Sequence, residues 1–136
     1  MSTKTVHPYL NFDGRCEEAI AFYQEALDAK VAMKMLFKDN PDGCMTPGTE
    51  EKVMHARLEI GDSVIFLSDG RCTNSGGGFK GVSLSLTVKS EAEADQYFNA
   101  LASGGEVGMP LMKTFFSPRF GMVEDKFGLG WMVLVQ

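Results

Sequence analysis

The chain holds only two imidazoles, His7 and His55, and each falls in a stretch where apolar and polar residues alternate. In TVHPYLNF, residues 5 to 12, Val6, Leu10 and Phe12 fall on one side of an extended chain and His7, Tyr9 and Asn11 on the other. In VMHARLEI, residues 53 to 60, the same alternation sets Val53, His55, Arg57 and Glu59 against Met54, Ala56, Leu58 and Ile60. Imidazole can carry a proton near neutral pH, ligate a borderline metal, or orient a ligand through a hydrogen bond. If the two polar faces meet, His7, His55 and Glu59 make a two-histidine, one-carboxylate set, the minimum for a metal with open positions. The plainer alternative has both histidines as hydrogen-bonding groups and Glu59 as a solvated residue beside the Gly61-Asp62 turn. Tyr9 and Asn11 could bind a substrate oxygen, and Arg57 could pair with an anionic ligand or lie solvated.

Other chemistry-bearing residues point to less. Cys16, Cys44 and Cys72 are odd in number and lack C-x-x-C spacing, so they read as free thiols rather than a disulfide framework or a zinc site. Gly76, Gly77 and Gly78 before Phe79 and Lys80 match neither phosphate-binding glycine pattern and read as linker. Glu17, Glu18 and Glu25 form the solvated face of a helix. Of nine methionines, Met33, Met35, Met54, Met122 and Met132 fall in predicted strands, as core or as a soft pocket wall.

These residues need elements to position them. After the first strand, Asp13-Gly14 marks a turn, and Ala19, Ile20, Phe22, Tyr23, Ala26 and Leu27 repeat as the inward stripe of a helix. Strands follow over 31–37, 53–60 and 63–69, with a long loop over 38–50 that could cover a site. Beyond a linker over 70–80, a strand at 81–88 leads into a helix over 91–102, with Ser90 as cap and Gly104-Gly105 as stop. Short strands at 106–110 and 119–125, a loop at 111–118 carrying Phe115 and Phe116, and a strand at 130–135 with Trp131 in the core complete the chain. The order strand, helix, three strands occurs twice, and placing Phe12 on Val88 sets His7, Tyr9 and Asn11 on Ser83, Ser85 and Thr87. The expectation is one domain over 1–136, with a first βαβββ module over 1–69 and a second over 81–136.

Bulk composition excludes some classes of partner. With a net charge of −5 the chain would meet repulsion from a phosphate backbone, so nucleic acid is not expected. The first ten residues lack the apolar core of a signal peptide, and no segment reaches the ~20 apolar residues of a membrane span. A cytoplasmic protein without a membrane partner is expected.

On PYLNFDGRCEEAIAFY, MHARLEIGDSVIFLSD, SLSLTV and GMVEDKFGLGWMV, the chain resembles the vicinal oxygen chelate superfamily, the glyoxalase/bleomycin-resistance/dioxygenase proteins, in its PhnB-like branch. The resemblance spans essentially the whole chain and implies an α+β fold, two βαβββ modules forming curved mixed sheets around a cleft. Enzymes of the superfamily typically hold a divalent metal at positions that fall here on His7, Phe66, Ser83 and Met132. Of these only His7 suits a hard or borderline metal. The resemblance therefore implies a small-molecule-binding protein with a degenerate metal site, sequestering or transforming a small metabolite in a cleft of His7, Tyr9, Asn11, His55, Phe66, Ser83 and Met132. The alternative is a divalent-metal-dependent lyase, isomerase or dioxygenase, so enzymatic activity stays open and no cofactor is assigned. A methyltransferase, suggested by names attached to similar sequences, ranks last for want of a glycine-rich strand-to-helix fingerprint. Edge strands left by each module lead us to expect a homodimer.

Overall fold

Alternating stretches became strands wherever one side had a helix to cover it. The protein is described by a computed structural model over residues 4–39, 48, 50–70 and 79–136. Most of the expected loop over 38–50 and of the glycine-rich linker lies outside the described residues. The chain divides into two compact units, Met1–Gly76 and Gly77–Gln136. The first contains β1 (Tyr9–Asn11), α1 (Cys16–Leu27), β2 (Lys30–Leu36), a 3₁₀ turn (Phe37–Asp39), β3 (Val53–Ile60) and β4 (Ser63–Ser68). The second contains β5 (Ser83–Val88), α2 (Glu91–Ala102), β6 (Glu106–Met112), β7 (Phe120–Glu124) and β8 (Gly130–Val135). Their sheets run β1-β4-β3-β2 and β5-β8-β7-β6, with β1 parallel to β4, β5 parallel to β8 and the remaining pairs antiparallel. This is the α+β, twice-repeated βαβββ arrangement predicted from the sequence.

Local chemistry explains the turns and caps. Asp13 (φ 48°) and Gly14 (φ 96°) are both left-handed, and Arg15 N–H donates to Phe12 O at 3.1 Å, the tight reversal that an Asp-Gly pair favours. No side chain at Arg15 caps α1. Instead the Cys16 N–H donates to Asp69 Oδ1 at 2.7 Å, so the cap is supplied from the end of β4. On α1, Ala19, Ile20, Tyr23, Ala26 and Leu27 are buried, as are Leu10, Ala56, Leu58, Ile65 and Leu67 of the sheet. In the second unit, Ser90 Oγ accepts from Glu93 N–H at 3.2 Å, the cap expected at that position. Ala94, Phe98 and Leu101 of α2 are buried along with Val123, Trp131 and Val133.

Three expectations need correction. The opening strand is shorter than its alternation predicts: Val6 is exposed, and Pro8, having no N–H, contributes only its carbonyl, which accepts from Phe66 N–H at 2.9 Å. Val53 does not share a face with His55 and Arg57. The β2–β3 register shifts between Met35 and Leu36, and Val53 is buried with its N–H donating to Asp69 Oδ2 at 2.8 Å. Leu111 and Met112, expected in a loop, extend β6, and the shorter turn that remains is braced by Ser117, whose N–H donates to Thr114 Oγ1 at 3.1 Å.

Cys16 is fully buried at the first position of α1. Burial pushes its thiol well up, the neighbouring carboxylates of Asp69 and Glu17 push the same way, and Lys34 opposes them. The folded chain keeps this proton while the unfolded chain loses it near pH ~8.5. Above that pH the native state binds more protons, so stability falls as pH rises. Urea midpoints are expected to be lower at pH 9.5 than at pH 7.5, and Cys16 should resist iodoacetamide until the protein unfolds. Mass mapping that finds Cys16 alkylated in the native protein at pH 8 would contradict this. Among the described residues, no helix is long and apolar enough to cross a membrane.

Candidate functional site

The first sheet buries one face beneath α1 and leaves the other open, and the register decides which side chains share that open face. Tyr9 pairs with Phe66, Phe66 with Arg57, and Arg57 with Met33, giving one row across all four strands. Paired residues project to the same side, so this row is continuous on the face opposite Leu10 and Leu67. His55 stands two residues along β3 from Arg57, opposite Met35. His7 lies two residues before Tyr9, just ahead of β1.

Four rings meet there. Phe66, half-buried on the strand between β1 and β3, meets the His7 ring edge-on at 5.3 Å and stacks with His55 at 5.2 Å between centroids. Tyr9 tilts against Phe66 at 6.2 Å and stacks with His55 at 5.7 Å. The Tyr9 hydroxyl lies 3.4 Å from His55 Nδ1, a loose hydrogen bond in which the hydroxyl donates when the imidazole carries its proton on Nε2. Tyr9 is 52% exposed, so an aromatic surface of some size faces outward with a polar edge.

Within the first unit the structure thus brings together His7, Tyr9, His55 and Phe66. Asn11 is exposed at the far end of β1, paired with Ser68 and outside the ring contacts. Ser83 is exposed at the start of β5 opposite Gly130. Met132 is half-buried in a row of the second sheet that runs Ser85, Met132, Met122, Met109. That row gives the methionines an open sheet face. Trp131 is buried as expected, its Nε1–H donating to Asp125 Oδ2 at 2.9 Å. Phe115 is fully exposed and edge-on to Phe116 at 5.2 Å, while Phe116 meets Phe120 at 5.0 Å.

The donor set does not fit a divalent metal. Phe66, which has no ligating atom, occupies the strand between the two imidazoles and packs against both. Glu59 lies four residues beyond His55 on β3, about 13 Å along the strand. Among the described residues, no three His, Cys, Asp or Glu side chains gather as a metal site requires, so His7, His55 and Glu59 do not form the set considered from sequence.

What sequence reading missed was a buried aspartate bracing each unit. Asp69, 1% exposed, ties the first amide of α1 to the first amide of β3, two residues from His55. Asp125, 2% exposed, accepts from Phe127 N–H at 2.9 Å, Leu129 N–H at 3.1 Å and the Trp131 indole. An Asp three residues before a Gly, as in Asp125-Lys126-Phe127-Gly128, is the available signal for the second.

Known proteins match along nearly the full chain. Residues 4–134 match the family described as 3-demethylubiquinone-9 3-methyltransferase. Protein PA1353 of Pseudomonas aeruginosa is 41% identical with a TM-score of 0.88, over 98% of each chain. The PhnB protein of Bacillus cereus is 28% identical with a TM-score of 0.82, over 98% of this chain and 100% of its own. The fosfomycin resistance protein FosX of Listeria monocytogenes is 15% identical with a TM-score of 0.66, over 100% of this chain and 95% of its own, a likeness of fold alone.

Proposed function

The chain belongs to the family described as 3-demethylubiquinone-9 3-methyltransferase, on the glyoxalase/bleomycin-resistance fold, and from that premise we propose that it binds a small organic molecule on the open face of its first sheet, without a resident metal. The single observation that carries this reading is the cluster of His7, Tyr9, His55 and Phe66, rings packed on one another at centroid distances of 5.2 to 6.2 Å with Tyr9 exposed. Such a surface offers dispersion and stacking to a ligand, with the Tyr9–His55 edge to orient one polar atom. Asn11 at the end of β1 is proposed as a further contact there, and Ser83 and Met132 as ligand contacts in their own right on the second sheet. A second copy of the chain is the expected partner for its exposed edge strands.

The family description names methyl transfer, but the strand-to-helix junctions here read Phe12-Asp13-Gly14-Arg15 and Lys89-Ser90, neither the glycine-rich turn of a nucleotide-type cofactor site. The proposal therefore stops at binding. Ligand-observed NMR with benzamide as a neutral aromatic probe should show saturable binding that Phe66→Ala abolishes, with unchanged circular dichroism. Equal binding by wild type and Phe66→Ala would sink this site. Stoichiometric uptake of zinc, nickel or manganese, lost in His7→Ala, would instead favour the metal-dependent alternative.

A further inference from the structure

Arg57 stands directly across from Phe66 in the β3–β4 register, so its guanidinium belongs to the same face as the rings. It differs from the other described arginines. Arg15 is held by Glu18 at 3.0 Å and Arg119 by Asp95 at 2.7 Å, whereas the Arg57 side chain has neither an ion pair nor a hydrogen bond among the described residues. The acid nearest along that face of β3, Glu59, stands opposite Lys30 in the β2–β3 register. An uncommitted guanidinium beside a stacked aromatic surface is a pairing of two recognition elements.

On the ring-face reading above, on which this inference rests, we infer that the ligand is a planar aromatic carboxylate. Its ring would lie against Phe66 and its neighbours, where the quadrupoles of flat π systems favour offset stacking. Its carboxylate would take the guanidinium's planar fork, which matches two carboxylate oxygens at once. Met33 and Met35, opposite Arg57 and His55, add polarisable thioethers along the flank of the ring. Each half of the ligand answers a different half of the face: an aliphatic acid loses the stacking, and a neutral ring loses the charge. The chain's net charge of −5 gives an anion no long-range attraction, so recognition must come from a local cation.

Benzoate, benzamide and acetate separate these contributions in ligand-observed NMR titrations on the full chain, with folding of each variant checked by circular dichroism. Benzoate should bind saturably and roughly tenfold tighter than benzamide, and Arg57→Gln should weaken benzoate roughly tenfold while leaving benzamide unchanged. Arg57→Lys should retain part of the preference. Equal affinities for benzoate and benzamide, both lost in Phe66→Ala, would overturn the carboxylate while leaving the ring-face reading intact. Acetate binding as well as benzoate would overturn it by removing the need for a ring. No saturation by either aromatic probe would overturn it together with the ring face.

Discussion

Asp69→Ala is expected to lower the melting temperature by roughly 10 °C or more. The carboxylate is buried, and each oxygen accepts one backbone N–H: Oδ1 from Cys16 at 2.7 Å and Oδ2 from Val53 at 2.8 Å. Alanine would strand both amides away from water, at about 1–3 kcal/mol each, or about 2–6 kcal/mol together. That is a large share of the roughly 5–15 kcal/mol that holds a domain folded. It would also remove a negative charge from the N-terminus of α1, where the helix dipole favours one. Asp69→Asn should fall between wild type and alanine, since the amide keeps one acceptor but turns a donor toward the second N–H. The effect should reach the rings, because Val53 begins the strand that carries His55. Urea and thermal unfolding followed by circular dichroism read the result, and a melting temperature within 2 °C of wild type would show that Asp69 is not the tie it looks to be.

How far these features were legible in the sequence depends on how local their causes are. The spans of α2, β3 and β8 match their predicted bounds. For α2 the reason is adjacent: Ser90 at one end and Gly104 at the other mark it without reference to the rest of the chain. The polar faces of β1 and β3 were equally legible, because alternation alone separates Tyr9 from Leu10 and His55 from Ala56. Alternation fails at a bulge. Val53 and Met54 are both apolar, so nothing in the run VMHARLEI marks the register shift that sends Val53 to the buried side. Nor does it bring Phe66 between the histidines, since that follows from β4 pairing with β1 and β3 together. Asp69 is a further case. An aspartate at a strand end reads as solvated, and its burial depends on an amide 53 residues away. Arg57 was legible as a residue on the right face, but its lack of an internal partner is a property of the folded chain.

In the second unit, Asp125→Ala is expected to cost about 3–9 kcal/mol, the sum over three buried donors left without an acceptor. The aspartate closes the turn between β7 and β8 by taking Phe127 and Leu129 amides on one oxygen and the Trp131 indole on the other. Trp131 is the chain's single tryptophan and is 3% exposed, so its emission reports on this turn and on β8. With its indole N–H stranded, Asp125→Ala should change that emission in the folded state and lower the urea midpoint. Trp131→Phe is the complementary change: it removes one donor and leaves the two amide bonds, so it should cost less than Asp125→Ala. Because the two side chains share one hydrogen bond, their effects should not add, and the double variant followed by circular dichroism should show a coupling of about 0.5–3 kcal/mol. Additive losses would mean that the indole bond contributes nothing, leaving the two backbone amides as the whole reason for an aspartate at this position.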